Sequence, residues 1–427
     1  MNSYTQTFLK RVFWGPNCLE SALPDALSLV SKNKKALIIT GRSLDKKTDV
    51  VRQVEKVLGP AHAGTFANIG QHAPIADIRQ VVEQVRQQKA DVLVAVGGGS
   101  PIDSAKAVAF LLQQENAEQH KPASDERDFL PIIAIPTTLS VAETTQNAGY
   151  TSEEGNKTGA SHPAIVPRVI IYDAALTLAT PERLWLSSGM RAVDHAIELL
   201  YRPGDSGILL STALGSIREL FYLLPATKKQ PENLEIRQKL QLACFQSLWP
   251  EGRKGALGLS HGLGHALGAK YAIPHGITSC LTLPGSIAIT SQAPSTSNTH
   301  LLALSDALNF IPPSFYAGGN QQANTALPPP SILASQLSPK AQKDGSVGSA
   351  EEDGLIKQAR ARGLLVSQSV RKLVEDLGLH STLEEYKVPK QDFETIAHHV
   401  TRGQDAALQQ LIVAMLNAKY DDKPGHL

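Results

Sequence analysis

Cysteine is scarce in this chain: three among 427 residues, Cys18, Cys244 and Cys280, far apart and in no CxxC arrangement. An odd, scattered set argues against a disulfide framework and fits a reducing compartment. An excess of charge is lacking too. The 41 basic and 40 acidic side chains leave a formal net charge of +1, with no long basic run. Such a balance offers no polyelectrolyte attraction to nucleic acid or to an anionic membrane. No apolar run approaches the roughly 18 residues of a membrane span, and residues 1–11 are polar, without the apolar core of a secretory signal. The expectation is a cytoplasmic protein whose partners are a small-molecule substrate and a second copy of itself, as a homodimer.

What is present suffices for two cores. The length exceeds what one core organises, and the 42% hydrophobic content supplies apolar surface for both. Short β-branched runs alternate with amphipathic stretches over the first 180 or so residues. Residues 36–40, 91–96, 131–135 and 169–172 read as buried strands, and Ile78, Val81, Val82 and Val85 mark a helix between two of them. Strands separated by helices predict parallel units and a doubly wound α/β sheet. Past Pro181 the pattern turns helical, over 190–201, 209–224, 233–247, 355–361, 367–377 and 388–400. The division expected is an α/β domain over 1–182 and an all-α domain over 183–427. Residues 311–353, rich in Pro, Ser, Gly, Gln and Asn, read as an insertion too polar for a core.

Two segments of the first domain carry chemistry. In Gly97-Gly98-Gly99-Ser100-Pro101-Ile102-Asp103, a strand runs into three glycines and then a helix that Pro101 can open as its first residue. Glycines let a backbone approach a pyrophosphate, and a helix N-terminus supplies N–H donors with a favourable dipole. A tight turn without ligand remains the plain alternative. Thr137-Thr138 follows another strand, where doubly wound sheets bind ligands.

The second domain carries histidines. His261 and His265 are four apart on one helical face, His275 follows Ile273-Pro274, and Arg191 and His195 are also four apart. Spacing alone suggests zinc or iron. The nearest carboxylates, Asp194 and Glu198, read as lying about 100° off the face of Arg191 and His195, so this looks like a metal site missing one anionic ligand.

Together these residues resemble the iron-containing alcohol dehydrogenase superfamily and, within it, the maleylacetate reductase branch. The glycine turn matches that family's phosphate signature, His72-Ala73-Pro74 its His-x-Pro, Lys157-Thr158 its ribose lysine, and Ser260-His261 through His275-Gly276 its histidine signature. The resemblance implies a dinucleotide fold, NADP or NAD as cofactor, and Gly41, Arg42, Ser43, Gly97, Gly98, Gly99, Ser100, Asp103, Thr137, Thr138, Lys157 and Leu176 as its contacts. It places His195, His261 and His275 at three metal-ligand positions, whereas the aspartate position is Arg191. Residues 137–145 match the shorter loop of the maleylacetate reductases, which lack the aspartate and work without metal.

The reading is therefore reduction of a carbonyl or activated alkene in a small, carboxylate-bearing substrate, with metal absent. Arg191 would act as a fixed cation and His265 or His261 as proton donor, with His195 and His275 completing the site. The alternatives are an Arg191 that only pairs with Asp194 or Glu198, a non-redox lyase that uses the nicotinamide catalytically, and a metal-dependent alcohol dehydrogenase. Arg42, with no aspartate in residues 41–43, leans the cofactor toward NADPH or dual use of NADPH and NADH.

Overall fold

A computed structural model of the chain describes residues 4–71, 73–119, 129–153, 157–202, 207–250, 258–316 and 350–422. It forms two compact units: Met1–Trp185 with Gln230–Gly255, and Leu186–Lys229 with Ala256–Leu427. His72 and residues 317–349, most of the Pro/Ser-rich stretch, lie outside the described residues.

The first unit contains β1 (Arg11–Trp14), β2 (Ala36–Ile39), β3 (His62–Phe66), β4 (Val92–Gly97), β5 (Ile132–Pro136), β6 (Asn147–Thr151), β7 (Lys157–Ser161) and β8 (Val169–Tyr172). Six of them form one sheet in the order β1-β8-β5-β4-β2-β3, parallel throughout, and β6 and β7 form a separate antiparallel pair. Period-2 alternation sends side chains to two separate cores. Leu37, Ile39, Leu93, Ala95, Ile132 and Ala134 face one cluster, capped by Ile78, Val81, Val82 and Ile102. Ala36, Ile38, Val92, Val94, Ile133 and Val169 face the other, capped by Leu19, Leu23, Val50, Val51 and Val54. The helices that carry these caps are α1 (Leu19–Val30), α3 (Val50–Leu58), α4 (Ile75–Gln88) and α5 (Gly99–Gln119), while the short α2 (Arg42–Lys47) between them buries no residue.

The strand order places the ligand end of this sheet. β2 and β4 are neighbours in register, Ile39 beside Ala95. The strand after β2 lies outward at β3, while the strand after β4 lies on the opposite side at β5. Open sheets of this kind take ligands where the winding reverses, beyond the carboxyl ends of the two strands. Here those ends are Gly41-Arg42-Ser43 and Gly97-Gly98-Gly99.

Helix α6 (Glu182–Leu199) runs from one unit into the other in sequence, α7 (Gly207–Lys229) belongs to the second, and α8 (Leu234–Ser247) to the first. That return corrects the single division after residue 182. Helix α8 is fixed to the first unit because Arg237 Nη1 donates to the Thr177 carbonyl at 3.0 Å, the Arg237 Cζ lies 4.5 Å over the Trp185 ring, and Gln238 Oε1 accepts from the Gly15 amide at 2.9 Å. Periodicity marks α8 as a helix but does not say what covers it.

The described remainder of the second unit is helical: α9 (Leu259–Tyr271), α10 (His275–Gln292), α11 (Asn298–Asp306), α12 (Ala350–Asp376), α13 (Phe393–Thr401) and α14 (Ala406–Ala418). Residues 355–377, read as two helical stretches, are one. Its start at Ala350 also moves residues 350–353 from the polar insertion into a helical first turn. Helix α7 is long and apolar enough to cross a bilayer, an exception to the expectation of no such run. Its buried residues recur at Leu209, Ala213, Ile217, Leu220 and Leu224, and Arg218 and Glu219 lie on its exposed side, the pattern of a helix packed along one face.

Candidate active site

At the ligand end of the sheet the backbone does what the glycines permit. Gly97 has φ +133°, a conformation that side-chain-bearing residues rarely adopt. A Cβ on Gly98 would come 3.1 Å from Thr138 Cγ2, so the turn and the threonine loop lie in close contact. The Thr137 amide donates to the Gly97 carbonyl at 2.9 Å, and the Thr138 and Ser140 hydroxyls lie 2.9 Å apart. Helix α5 begins at Gly99, so Pro101 is its third residue and not its first; a proline is tolerated there because first-turn amides have no partner within the helix.

Ser100 and Asp103 sit in and beside that first turn, and Asp103 Oδ1 is 3.6 Å from Lys106 Nζ. A bare amide cradle at the head of a 21-residue helix fits a dinucleotide pyrophosphate. Gly41 precedes α2, Arg42 Nε donates to Asn68 Oδ1 at 3.2 Å, and Ser43 follows on the same short helix. Leu176 is buried in the apolar cluster on the α1/α3 face of the sheet. Lys157 opens β7, and its side chain lies outside the described residues.

In the second unit, helices α6, α9 and α10 bring a charged set together. Arg191, Asp194, His195 and Glu198 all lie within a stripe of about 100° on α6, since seven residues make nearly two turns. The expectation that the two carboxylates stand off the face of Arg191 is therefore wrong. Neighbouring helices come close where side chains are missing: a Cβ on Gly276 would lie 2.4 Å from the Ser187 carbonyl, and one on Gly258 2.7 Å from Glu198 Oε1. Glu198 accordingly caps α9 from another helix. It accepts from the amides of Gly258 at 2.8 Å and Ser260 at 2.6 Å, and from His261 Nδ1 at 2.6 Å. Asp194 accepts from Ser279 Oγ at 2.6 Å, Ser260 Oγ at 3.0 Å and Arg191 Nη1 at 3.4 Å.

The histidines divide into two pairs. His261 stacks on His195 with ring centroids 5.0 Å apart, and His265, one turn later and exposed, faces half-buried His275 at 6.1 Å. His261 Nε2 and His195 Nδ1 are buried and meet no hydrogen-bond partner among the described residues.

Burial would empty His261 of its proton and Arg191 repels it, but Asp194 and Glu198 outweigh both and raise its pKa. His195 moves well below the ordinary histidine value, through burial, then through His261 and Arg191. Asp194 stays well below the usual carboxylate range: burial opposes ionisation, and His261, Arg191 and Ser279 overcome it. Arg191 is lowered by burial against Asp194 and Glu198, yet a guanidinium remains charged in proteins.

Two carboxylates thus face one guanidinium and one histidine that they hold toward its protonated form. A divalent ion added here would bring two further positive charges beside Arg191. One ligand atom from each of Asp194, Glu198 and His261 lies within 4.8 Å of the others, close enough for an ion by distance alone. The Glu198 oxygens, Asp194 Oδ2 and His261 Nδ1 are committed to hydrogen bonds, whereas Asp194 Oδ1 and His261 Nε2 meet no partner among the described residues, so what weighs against iron or zinc here is the charge of Arg191. Sequence reasoning missed Glu198 as the partner of His261 and Ser260 and Ser279 as donors to Asp194; the spacing 191, 194, 198 carried the signal.

The Fe-ADH model, "Iron-containing alcohol dehydrogenase", matches residues 10–174, and the "Fe-containing alcohol dehydrogenase family, C-terminal" model matches residues 185–327. Maleylacetate reductase from Rhizobium sp. (strain MTP-10005) is 35% identical over 239 residues, a match spanning 55% of this chain and 62% of that enzyme. Maleylacetate reductase from Pseudomonas sp. (strain P51) is 30% identical, with 69% of this chain and 77% of the relative covered. Among solved structures, sulfoacetaldehyde reductase from Bifidobacterium kashiwanohense in complex with NAD+ superposes with a TM-score of 0.73 at 18% identity, covering 99% of this chain and 100% of that one, a likeness of fold. Both halves of the chain carry the signature residues of one lineage, and it belongs to the iron-containing alcohol dehydrogenase family, on the maleylacetate reductase-like branch.

Proposed function

We propose that the chain is an NAD(P)H-dependent oxidoreductase that reduces a carbonyl or activated alkene of a small, carboxylate-bearing substrate without a metal ion. The observation that carries this reading is Arg191. It is buried at the position of a family anionic ligand and supplies a fixed positive charge where relatives would recruit one.

The nicotinamide, when bound, supplies the hydride. Gly97, Gly98 and Gly99, with the amides opening α5, hold the cofactor's phosphates. Arg191 stabilises the oxygen on which negative charge develops during reduction. His261 carries a proton at Nε2 and releases it to the reduced substrate, while Glu198 holds Nδ1–H and so fixes both the tautomer and the ring plane. Ser260 and Ser279 keep Asp194 turned toward Arg191 and away from the reacting atoms. Of the two donors considered from the sequence, His261 is favoured over His265 because it alone of the two is buried beside carboxylates.

The test is elemental analysis joined to turnover of maleylacetate and related keto acids with NADPH. The expected result is less than stoichiometric iron or zinc and unchanged turnover after chelation. Loss of activity on chelation, restored by iron or zinc, would reinstate the metal-dependent alternative.

NADPH is the proposed preference, supported by Arg42 and by the missing carboxylate across residues 41–43. A carboxylate would hold the ribose 2′-hydroxyl and repel a 2′-phosphate; a guanidinium does the reverse. Arg42→Asp is expected to shift the NADPH-to-NADH ratio of kcat/KM by roughly tenfold or more toward NADH, about one charge-assisted hydrogen bond. A strict NADH preference in the unaltered protein rules the assignment out.

A further inference from the structure

Lys106 is 0% exposed, seven residues beyond the glycine at which α5 begins. Its ammonium donates to the Ala142 carbonyl, to Thr145 Oγ1 at 3.1 Å and to the Asn147 carbonyl at 2.8 Å, which uses all three N–H donors. Asp103 lies 3.6 Å away on the same helix. The three acceptors belong to one stretch, residues 142–147, which continues from Thr137, Thr138 and Ser140 and leads into β6. The same stretch is held from its other side, where the Tyr172 hydroxyl on β8 donates to buried Glu143 at 2.6 Å.

A buried ammonium is a costly way to fill space. An apolar side chain of similar length would pack there without the desolvation penalty, and replacing buried ionic groups by apolar ones is often neutral or stabilising. Lysine contributes a short, three-way tie between two segments that meet at the cofactor turn. Ala142 Cβ lies 3.7 Å, and Ser140 Cβ 3.8 Å, from where a Cβ on Gly99 would stand, so the tied stretch rests against the glycines.

We propose that Lys106 is a positioning residue for the cofactor cradle. It fixes the 142–147 stretch, and through it Thr138 and Ser140, at a set spacing from the Gly97–Gly99 turn, and so sets cofactor affinity without touching the substrate. This rests on the dinucleotide reading of that turn.

The experiment uses the full chain as Lys106→Met and, because that variant can fail to fold, Thr145→Val, which removes one acceptor. The readouts are the dissociation constant for NADPH and NADH by nicotinamide fluorescence, kcat at saturating cofactor, and the melting temperature. Thr145→Val is expected to melt below the unaltered protein, because one N–H of the buried ammonium loses its acceptor, but to fold, and to weaken cofactor binding about threefold, the effect of one hydrogen bond. Lys106→Met is expected to weaken it tenfold or more, on the order of three such bonds lost together, with kcat at saturation within about twofold.

A lysine with a merely structural role would lower the melting temperature and leave the dissociation constant of the folded protein unmoved. Constants within twofold of the unaltered protein, in Thr145→Val and in any folded Lys106→Met, overturn the inference. An unaltered protein that binds neither nucleotide overturns the dinucleotide reading, and this inference with it.

Discussion

Replacing Arg191 by alanine will lower kcat/KM for reduction by on the order of 10²–10³-fold, the usual effect of removing one preorganised oxyanion donor, and will leave cofactor affinity unchanged. The loss should fall mainly on kcat, because the guanidinium is needed most when the substrate oxygen gains charge. Stability will fall as well. Asp194 would keep its serine donors and His261, but Asp194 and Glu198 would then share one cationic partner, and a buried charge left uncompensated costs about 3–5 kcal/mol. Thermal melts on the same preparations separate that cost from the catalytic one. Arg191→Lys retains the charge but not the planar fork, and should recover part of the rate.

Arg191→Asp sharpens the question of the metal. It places a third carboxylate beside Asp194 and Glu198 and removes the balancing cation. This variant is expected to be unstable and inactive alone, then to be stabilised by iron or zinc, since a cation would relieve the repulsion. If Arg191→Asp keeps full activity with no metal, the guanidinium has no part in the mechanism.

Much of the α/β unit is legible in the sequence because its central strands are buried on both faces. Residues 36–39, 92–97, 132–136 and 169–172 stand out as apolar runs. The sheet's two edges do not. β1 is at most half buried, and β3 reads His-Ala-Gly-Thr-Phe, with only Phe66 fully inside, so neither makes a run. The β6–β7 pair is equally faint, with Gly149 opposite Gly159. Gly363 interrupts the helical pattern of α12, which then reads as two stretches, although its own burial shows a site of close packing.

At the site, the identities of Arg191, His195 and His261 could be read from spacing, but the charge balance could not. That balance depends on Glu198 reaching across to the head of α9, a contact between residues 60 or more positions apart. Lys106 lies three residues past Asp103 of the glycine-turn motif, yet nothing in one sequence tells whether a lysine on such a helix is solvated or buried.

Glu198→Gln will move the alkaline limit of reduction to lower pH. In the unaltered protein His261 titrates above its ordinary value because Asp194 and Glu198 favour the imidazolium. A proton donor must be protonated, so kcat should be level on the acid side and fall about tenfold per pH unit once pH exceeds that raised value. Removing one of the two carboxylate charges lowers the His261 pKa, and the bend follows it.

The same linkage fixes the sign for folding. A histidine whose folded pKa exceeds its unfolded value of about 6.5 contributes its full stabilisation below that pH. The contribution is lost as pH climbs through the folded value. The melting temperature of the unaltered protein should therefore decline over that alkaline window, and the decline should be smaller in Glu198→Gln. Profiles of rate against pH that superimpose for the two proteins would remove His261 as the proton donor, and Glu198 as the residue that sets its charge.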